Sequence, residues 1–152
     1  MYGLDSAPTA LKLSQEWLEK EDLNAELQCG DMSELPWDDS FFDAVICIKV
    51  INHHRIASIR ITFDEAYRVL RTNGLFLVTA MKNPPPTNWK NGKFAEIEHH
   101  TYVPTEGHEK DVPHHCFTEE ELEQLLDKYD ILKLIDESPN RHRYVALAQK
   151  KA

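Results

Sequence analysis

Apolar positions along the chain follow two different periods. Ala10, Leu13 and Trp17 recur at helical spacing, with Ser14 and Leu18 beside them. They follow Asp5-Ser6-Ala7-Pro8, a short oxygen side chain ahead of a proline suited to a first helical turn. Leu27 and Cys29 then alternate with Glu26 and Gln28, the period of a short strand. Pro36 to Ser40 is a polar turn region. Ala44-Val45-Ile46-Cys47-Ile48 is apolar throughout and reads as a strand covered on both faces. Ile59, Phe63, Ala66, Tyr67 and Leu70 fall on one face of an amphipathic helix, with Asn73-Gly74 as its stop. Leu75 to Ala80 is a second buried strand candidate.

After Met81 the pattern dissolves. Pro84-Pro85-Pro86 cannot lie inside a helix, and the stretch to Phe117 is rich in His, Pro, Glu and Asn. A structureless connection of that length inside a domain either carries function or lacks order. Thr118 then opens a helix, with Glu121 completing a capping box and Leu122, Leu125 and Leu126 giving an apolar face. Strand candidates Ile131 to Ile135 and Tyr144 to Ala148 close the chain, joined by a connection, Asp136 to Arg143, short enough for an antiparallel hairpin. Helices alternating with central apolar strands predict an α/β fold, one domain over 1–152 with a substrate-side lid over 83–117.

Composition narrows the function. The 152 residues carry 17 Lys and Arg against 26 Asp and Glu, a formal charge of −9. That balance argues against broad contact with phosphate backbones and favours a small-molecule or protein substrate over nucleic acid. No apolar run approaches the roughly 18 residues of a membrane span, and nothing resembles a signal peptide. Cys29, Cys47 and Cys116 are odd in number and lack CxxC spacing, so the expected compartment is the reducing cytoplasm.

Three segments carry a resemblance. Gly30-Asp31-Met32-Ser33-Glu34-Leu35-Pro36-Trp37-Asp38-Asp39-Ser40-Phe41-Phe42-Asp43 resembles the gD-x-x-x-LP(F/W)-x-D-x-S-F-D signature of class I S-adenosylmethionine-dependent methyltransferases. Arg68-Val69-Leu70-Arg71-Thr72-Asn73-Gly74 is similar to that family's R-V-L-K-P-G-G turn, with Asn73 for the first glycine. Gly3-Leu4-Asp5-Ser6-Ala7-Pro8 is similar to the G-(V/I)-D-x-S-P that closes its second strand. The order and spacing of the three cover residues 3 to 80, and the methyltransferase type 11 group is the best match.

The resemblance implies roles. S-adenosyl-L-methionine is the implied cofactor. Asp5, with Ser6 beside it, stands where the family binds the ribose hydroxyls, and Asp31 where it meets the adenine amino group. Met32 would offer backbone contact and a polarizable surface to the ring. Lys49, Val50 and Ile51 follow the strand that faces the sulfonium and the methyl acceptor. His54, with His53 behind it, is the candidate general base where an acceptor must lose a proton. Each has a structural alternative: Asp5 as a helix cap, Asp31 as a turn residue, Met32 as packing, and either histidine as a cap.

His53-His54, His99-His100 and His114-His115, with Glu96, Glu98, His108 and Cys116, invite a metal reading. Adjacent histidines point apart on a strand and no HxxxH or HExxH spacing occurs, so no metal ligand is assigned.

The family's glycine-rich cofactor loop has no counterpart: Gly3, Gly30, Gly74, Gly92 and Gly107 nowhere form it. The resemblance implies a Rossmann-like, mostly parallel sheet with a C-terminal antiparallel hairpin, lacking the first strand and first helix. In the family's order 3-2-1-4-5-7-6, that loss separates strands two and three from the rest. Exposed strand edges then favour a homo-oligomer, and residues 1 to 4 are short for a stable strand. Methyl transfer is expected to be impaired. The rival expectations are a non-catalytic assembly module and a metal-dependent hydrolase built on the His-rich stretch.

Overall fold

The computed structural model describes residues 1–85, 89, 93–138 and 141–152. Pro86 and Gly92, named above, lie outside the described residues, as does part of the connection between the two final strands. The chain forms two compact units, Met1–Trp37 and Asp38–Ala152.

In the first unit β1 (Tyr2–Asp5) and β2 (Glu26–Cys29) pair in parallel from Tyr2↔Glu26 to Asp5↔Cys29. The first residues therefore do form a strand, because β2 satisfies their backbone groups and α1 packs on both. Helix α1 (Pro8–Lys20) starts where expected, with proline in its first turn. Its buried residue is Leu18, however, while Leu13 and Trp17 are 60% and 55% exposed. Two four-residue strands offer too narrow a surface to cover the whole apolar stripe.

The second unit is built on a four-stranded sheet of order β3-β4-β9-β8. Strand β3 (Phe42–Cys47) runs parallel to β4 (Leu70–Met81), and β4 pairs antiparallel with β9 (Arg143–Lys150). Strand β8 (Tyr129–Asp136) completes the expected hairpin with β9. Helix α2 (Ile56–Val69) lays Ile59, Phe63 and Ala66 against Phe76 and Val78 of β4 and Ala146 and Ala148 of β9. The Phe63 ring meets Phe76 edge-on at 5.5 Å, and Phe76 stacks on Tyr129 at 5.6 Å. Helix α3 (Glu119–Leu125) adds Leu122, and Leu126 just beyond it, to this core.

Three expectations change here. Strand β3, an edge strand of its sheet, is not covered on both faces: Ile46 is 67% exposed, and Ile48 just past its end 47%. Helix α2 ends at Val69 rather than at Asn73-Gly74, and β4 begins at once. The register steps from Phe42↔Leu70 to Ala44↔Leu75, so residues 71–74 bulge opposite Asp43. Asn73 takes a φ of 63°, and a Cβ on Gly74 would stand 2.8 Å from the Arg71 carbonyl oxygen. The family-like turn is thus a bulge, closed by the Arg71–Asp43 ion pair. Third, the stretch after Met81 holds a three-stranded antiparallel sheet of β5 (Phe94–Glu98), β6 (Thr101–Pro104) and β7 (His114–His115), in that order. Strands of two to five residues are too short to show a period in sequence.

The signature's Asp39 and Ser40 act as fasteners for α2. Asp39 accepts from Arg68 Nη1 at 3.0 Å, and Ser40 N donates to the Arg68 carbonyl at 2.9 Å. Arg68 also holds Glu65, one turn back, at 2.7 Å.

Candidate functional site

Asp5, Ser6, Asp31 and Met32 belong to the first unit. Asp5 ends β1, and Asp31 lies two residues past the end of β2. The strands are parallel and Gly30 N donates to the Asp5 carbonyl at 3.2 Å, so both loops leave the same sheet edge. Asp5 Oδ1 accepts from Ala7 N at 2.8 Å, holding the start of α1. Asp31 Oδ1 accepts from Ser33 N at 2.8 Å and Ser33 Oγ at 2.6 Å. The local turn roles are thus present, and they fix two exposed carboxylates at adjacent carboxyl ends of strands. Ligands of open α/β sheets sit in this position. Ser6 is exposed and Met32 half-buried.

Lys49, Val50, His53 and His54 belong to the second unit, past the carboxyl end of β3. Lys49 has a φ of 59° and its N donates to Thr79 Oγ1 at 2.8 Å, tying this loop to β4. A 3-10 turn, Ile51–His53, follows, and buried Asn52 accepts from Met81 N at 3.2 Å. These bonds shape a cavity of about 330 Å³ whose floor includes Lys49, Asn52, His53, Thr79 and Met81. Trp89, Glu109 and His114 from the insertion also line it, with His142 and Arg143 at the start of β9. His53 lines this cavity; His54 and Val50 do not. A second cavity of about 300 Å³ lies between α2 and the α3–β8 region, where Lys128 and Asp64 in its wall pair with each other.

His114, given no role by its spacing in the sequence, lines this cavity. Its side chain is 4% exposed, with the His53 ring at 4.8 Å and the Trp89 ring at 5.3 Å. Among the described residues neither ring nitrogen has a hydrogen-bond partner. Its Nε2 stands 3.5 Å from Glu109 Oε2, too long and misaligned for a hydrogen bond. Burial pushes its pKa below the ordinary histidine value and the adjacent His53 adds to this, while Glu109 opposes both.

The neighbouring His115 points the other way, as alternation on a strand requires. Its Nδ1 meets Thr101 Oγ1 at 2.7 Å and its Nε2 meets Glu121 Oε2 at 3.0 Å. Glu98 accepts from Ile56 N at 2.9 Å, capping α2, and from Thr101 Oγ1 at 3.2 Å. The insertion is therefore fastened to both α2 and α3. His99 and His100 stack at 3.7 Å; His100 meets Asn83 Nδ2 at 3.3 Å, and Glu96 accepts from its backbone N. His108 is exposed. Cys116 is fully buried and its thiol is pushed up to about 12 by burial, which leaves it inert.

Comparison with known proteins adds to this geometry. Residues 1–78 match a family described as a methyltransferase domain. No curated protein sequence matches significantly. Among solved structures, a protein of Pyrococcus horikoshii superposes with a TM-score of 0.84 at 21% identity, covering 99% of this chain and 71% of that one. A SAM-dependent methyltransferase of Methanosarcina mazei gives 0.82 at 20% identity, covering 99% and 81%. The 1,6-didemethyltoxoflavin-N1-methyltransferase of Burkholderia thailandensis, solved with 1,6-didemethyltoxoflavin and S-adenosylhomocysteine, gives 0.68 at 19% identity, covering 99% and 61%. Among the described residues no helix is long and apolar enough to cross a membrane.

Proposed function

This chain belongs to the methyltransferase domain family, and from that premise we propose that it takes part in S-adenosylmethionine-dependent methyl transfer to a small-molecule or protein acceptor. The observation that carries this reading is the pair of exposed carboxylates, Asp5 and Asp31, fixed at adjacent carboxyl ends of parallel strands.

The donor set fits the cofactor's nucleoside half. A carboxylate at Asp5 accepts from ribose hydroxyls, with Ser6 beside it, and one at Asp31 accepts from an exocyclic amine, with the Met32 side chain available to a ring face. When bound, S-adenosylmethionine supplies a methyl group made electrophilic by its sulfonium. The chain's own contribution is position and exclusion of water. Lys49 and Val50 are proposed on the cofactor side of the β3 loop. The cavity beside Lys49 and His53 is proposed to receive the acceptor. His53 is the residue there able to take a proton, ahead of His54, which does not line it.

The five glycines of residues 1–152 form no glycine-rich cofactor loop, so the contacts proposed for this chain are those to the nucleoside half. A second reading is a methyltransferase-like assembly module. A second copy is the partner of either reading, since β3 is an edge strand with Ile46 exposed along it.

Isothermal titration with S-adenosylhomocysteine, with the solution mass recorded in parallel, separates the two. Micromolar binding that Asp31→Ala weakens by about tenfold or more, roughly 1.4 kcal/mol, supports methyl transfer. No detectable binding by a folded chain refutes it and leaves the assembly reading.

A further inference from the structure

We propose that His53, Glu109 and His114 form a binding site for one divalent transition ion of borderline softness, with zinc as its type. None of the three is among the residues assigned to the cofactor, but His53 is shared with the proposed proton-accepting role, so the site is tested by metal binding itself rather than by methyl transfer.

The ligand atoms of the three side chains lie within 4.8 Å of one another. Ligands on a tetrahedral ion with bonds of roughly 2.0–2.1 Å stand about 3.4 Å apart. Among the three side chains, His114 Nε2 and Glu109 Oε2 are already 3.5 Å apart. That separation suits two ligands of one ion better than a hydrogen bond, which would be about 2.7–3.2 Å.

The second observation is the His114 ring itself. Burying a polar group without a partner costs on the order of 1–3 kcal/mol, and here both ring nitrogens are without one among the described residues. A cation satisfies a neutral imidazole without asking it to ionise. Two imidazoles and one carboxylate suit zinc, and three protein ligands leave a coordination position open to the cavity. Lys49 and Arg143 line the same cavity, and Arg143 is engaged by Glu137. One carboxylate leaves the bound ion with a net positive charge, so the open position suits an anionic oxygen.

The ligands come from the 3-10 turn after β3, from the loop before β7, and from β7 itself. The ion would therefore clasp the 105–113 loop to the core. It would also occupy the ring that otherwise accepts a proton, so zinc is expected to suppress a His53-dependent step rather than assist it.

The chelator-treated 152-residue chain, titrated with zinc by calorimetry and with cobalt(II) by visible absorption, tests the site. One equivalent at micromolar or tighter Kd is expected, with ligand-field bands of a four- or five-coordinate ion and a raised Tm. Glu109→Gln, a change at a side chain 62% exposed and so tolerated by the fold, should weaken binding beyond the ~10–100-fold that loss of an outer-shell partner costs. A double variant, His99→Gln with His100→Gln, should bind as the parent does. Millimolar or substoichiometric binding, an unaltered Kd in Glu109→Gln, or loss of binding in the His99 and His100 variant overturns the proposal; water would then satisfy His114.

Discussion

The His115 imidazole reaches Glu121 Oε2 at 3.0 Å from one nitrogen while its other meets Thr101 Oγ1 at 2.7 Å. One buried ring thereby joins β6, β7 and α3. Thr118 Oγ1 accepts from Glu121 N, as a capping box requires, and the Glu121 carboxylate also bonds His115. The Thr101 hydroxyl has a single proton, given either to Glu98 or to His115.

His115→Ala should lower unfolding free energy by about 2–3 kcal/mol, because it leaves Thr101 buried and the Glu121 carboxylate without its donor. Urea denaturation with an unchanged m-value is the check. A loss below about 0.5 kcal/mol would mean that the ring fills space only.

Acid should loosen the same joint. Burial raises the Glu121 pKa, but the His115 hydrogen bond, nearby His115 and His100, and the Thr118 cap outweigh it, so the net shift is downward. Glu98 is likewise lowered, burial being outweighed by the Ile56 and Thr101 bonds. A depressed carboxylate contributes stability above its ordinary value of 4.5 and loses it as pH falls through the folded-state value. The Tm of the parent should therefore fall below pH 4.5 more steeply than that of Glu121→Gln. Parallel curves would remove Glu121 as the cause.

Gly74→Ala tests the bulge between α2 and β4. The new Cβ would meet the Arg71 oxygen at 2.8 Å, Leu70 Cδ2 at 3.0 Å and the Asp43 oxygen at 3.2 Å, two of them backbone atoms that cannot swing away. Such overpacking costs about 1–3 kcal/mol, read as a lowered denaturation midpoint. An unchanged midpoint would mean that the bulge relaxes without strain.

The two adjacent histidines should separate in kinetics. With the ion removed, His53→Gln should lower methyl transfer by about a hundredfold, the lower range for loss of a general base, and leave cofactor affinity alone. His54→Gln, outside the cavity, should stay within a few-fold. Equal losses in both would return the role to the pair.

The sequence by itself determined the periodic elements. Ile59, Phe63 and Ala66 announce α2 because a helix repeats its buried face every few residues, and the mostly apolar run Leu75 to Ala80 announces β4. Asp5 and Asp31 were singled out by the family resemblance of the segments around them, and the structure places them at and just past the carboxyl ends of β1 and β2. What needed the tertiary structure was whatever depends on neighbours distant in sequence. Ile46 reads as core but is exposed, because only the sheet order makes β3 an edge. Asn73-Gly74 reads as a helix stop but forms a bulge, because its register is set by pairing with β3. His114 and His115 read alike in sequence. Strand alternation gives one to Thr101 and Glu121 and leaves the other beside His53 and Glu109. That division rests on which side of β7 each ring leaves, and only the packing of three separate segments gives the two sides different chemistry.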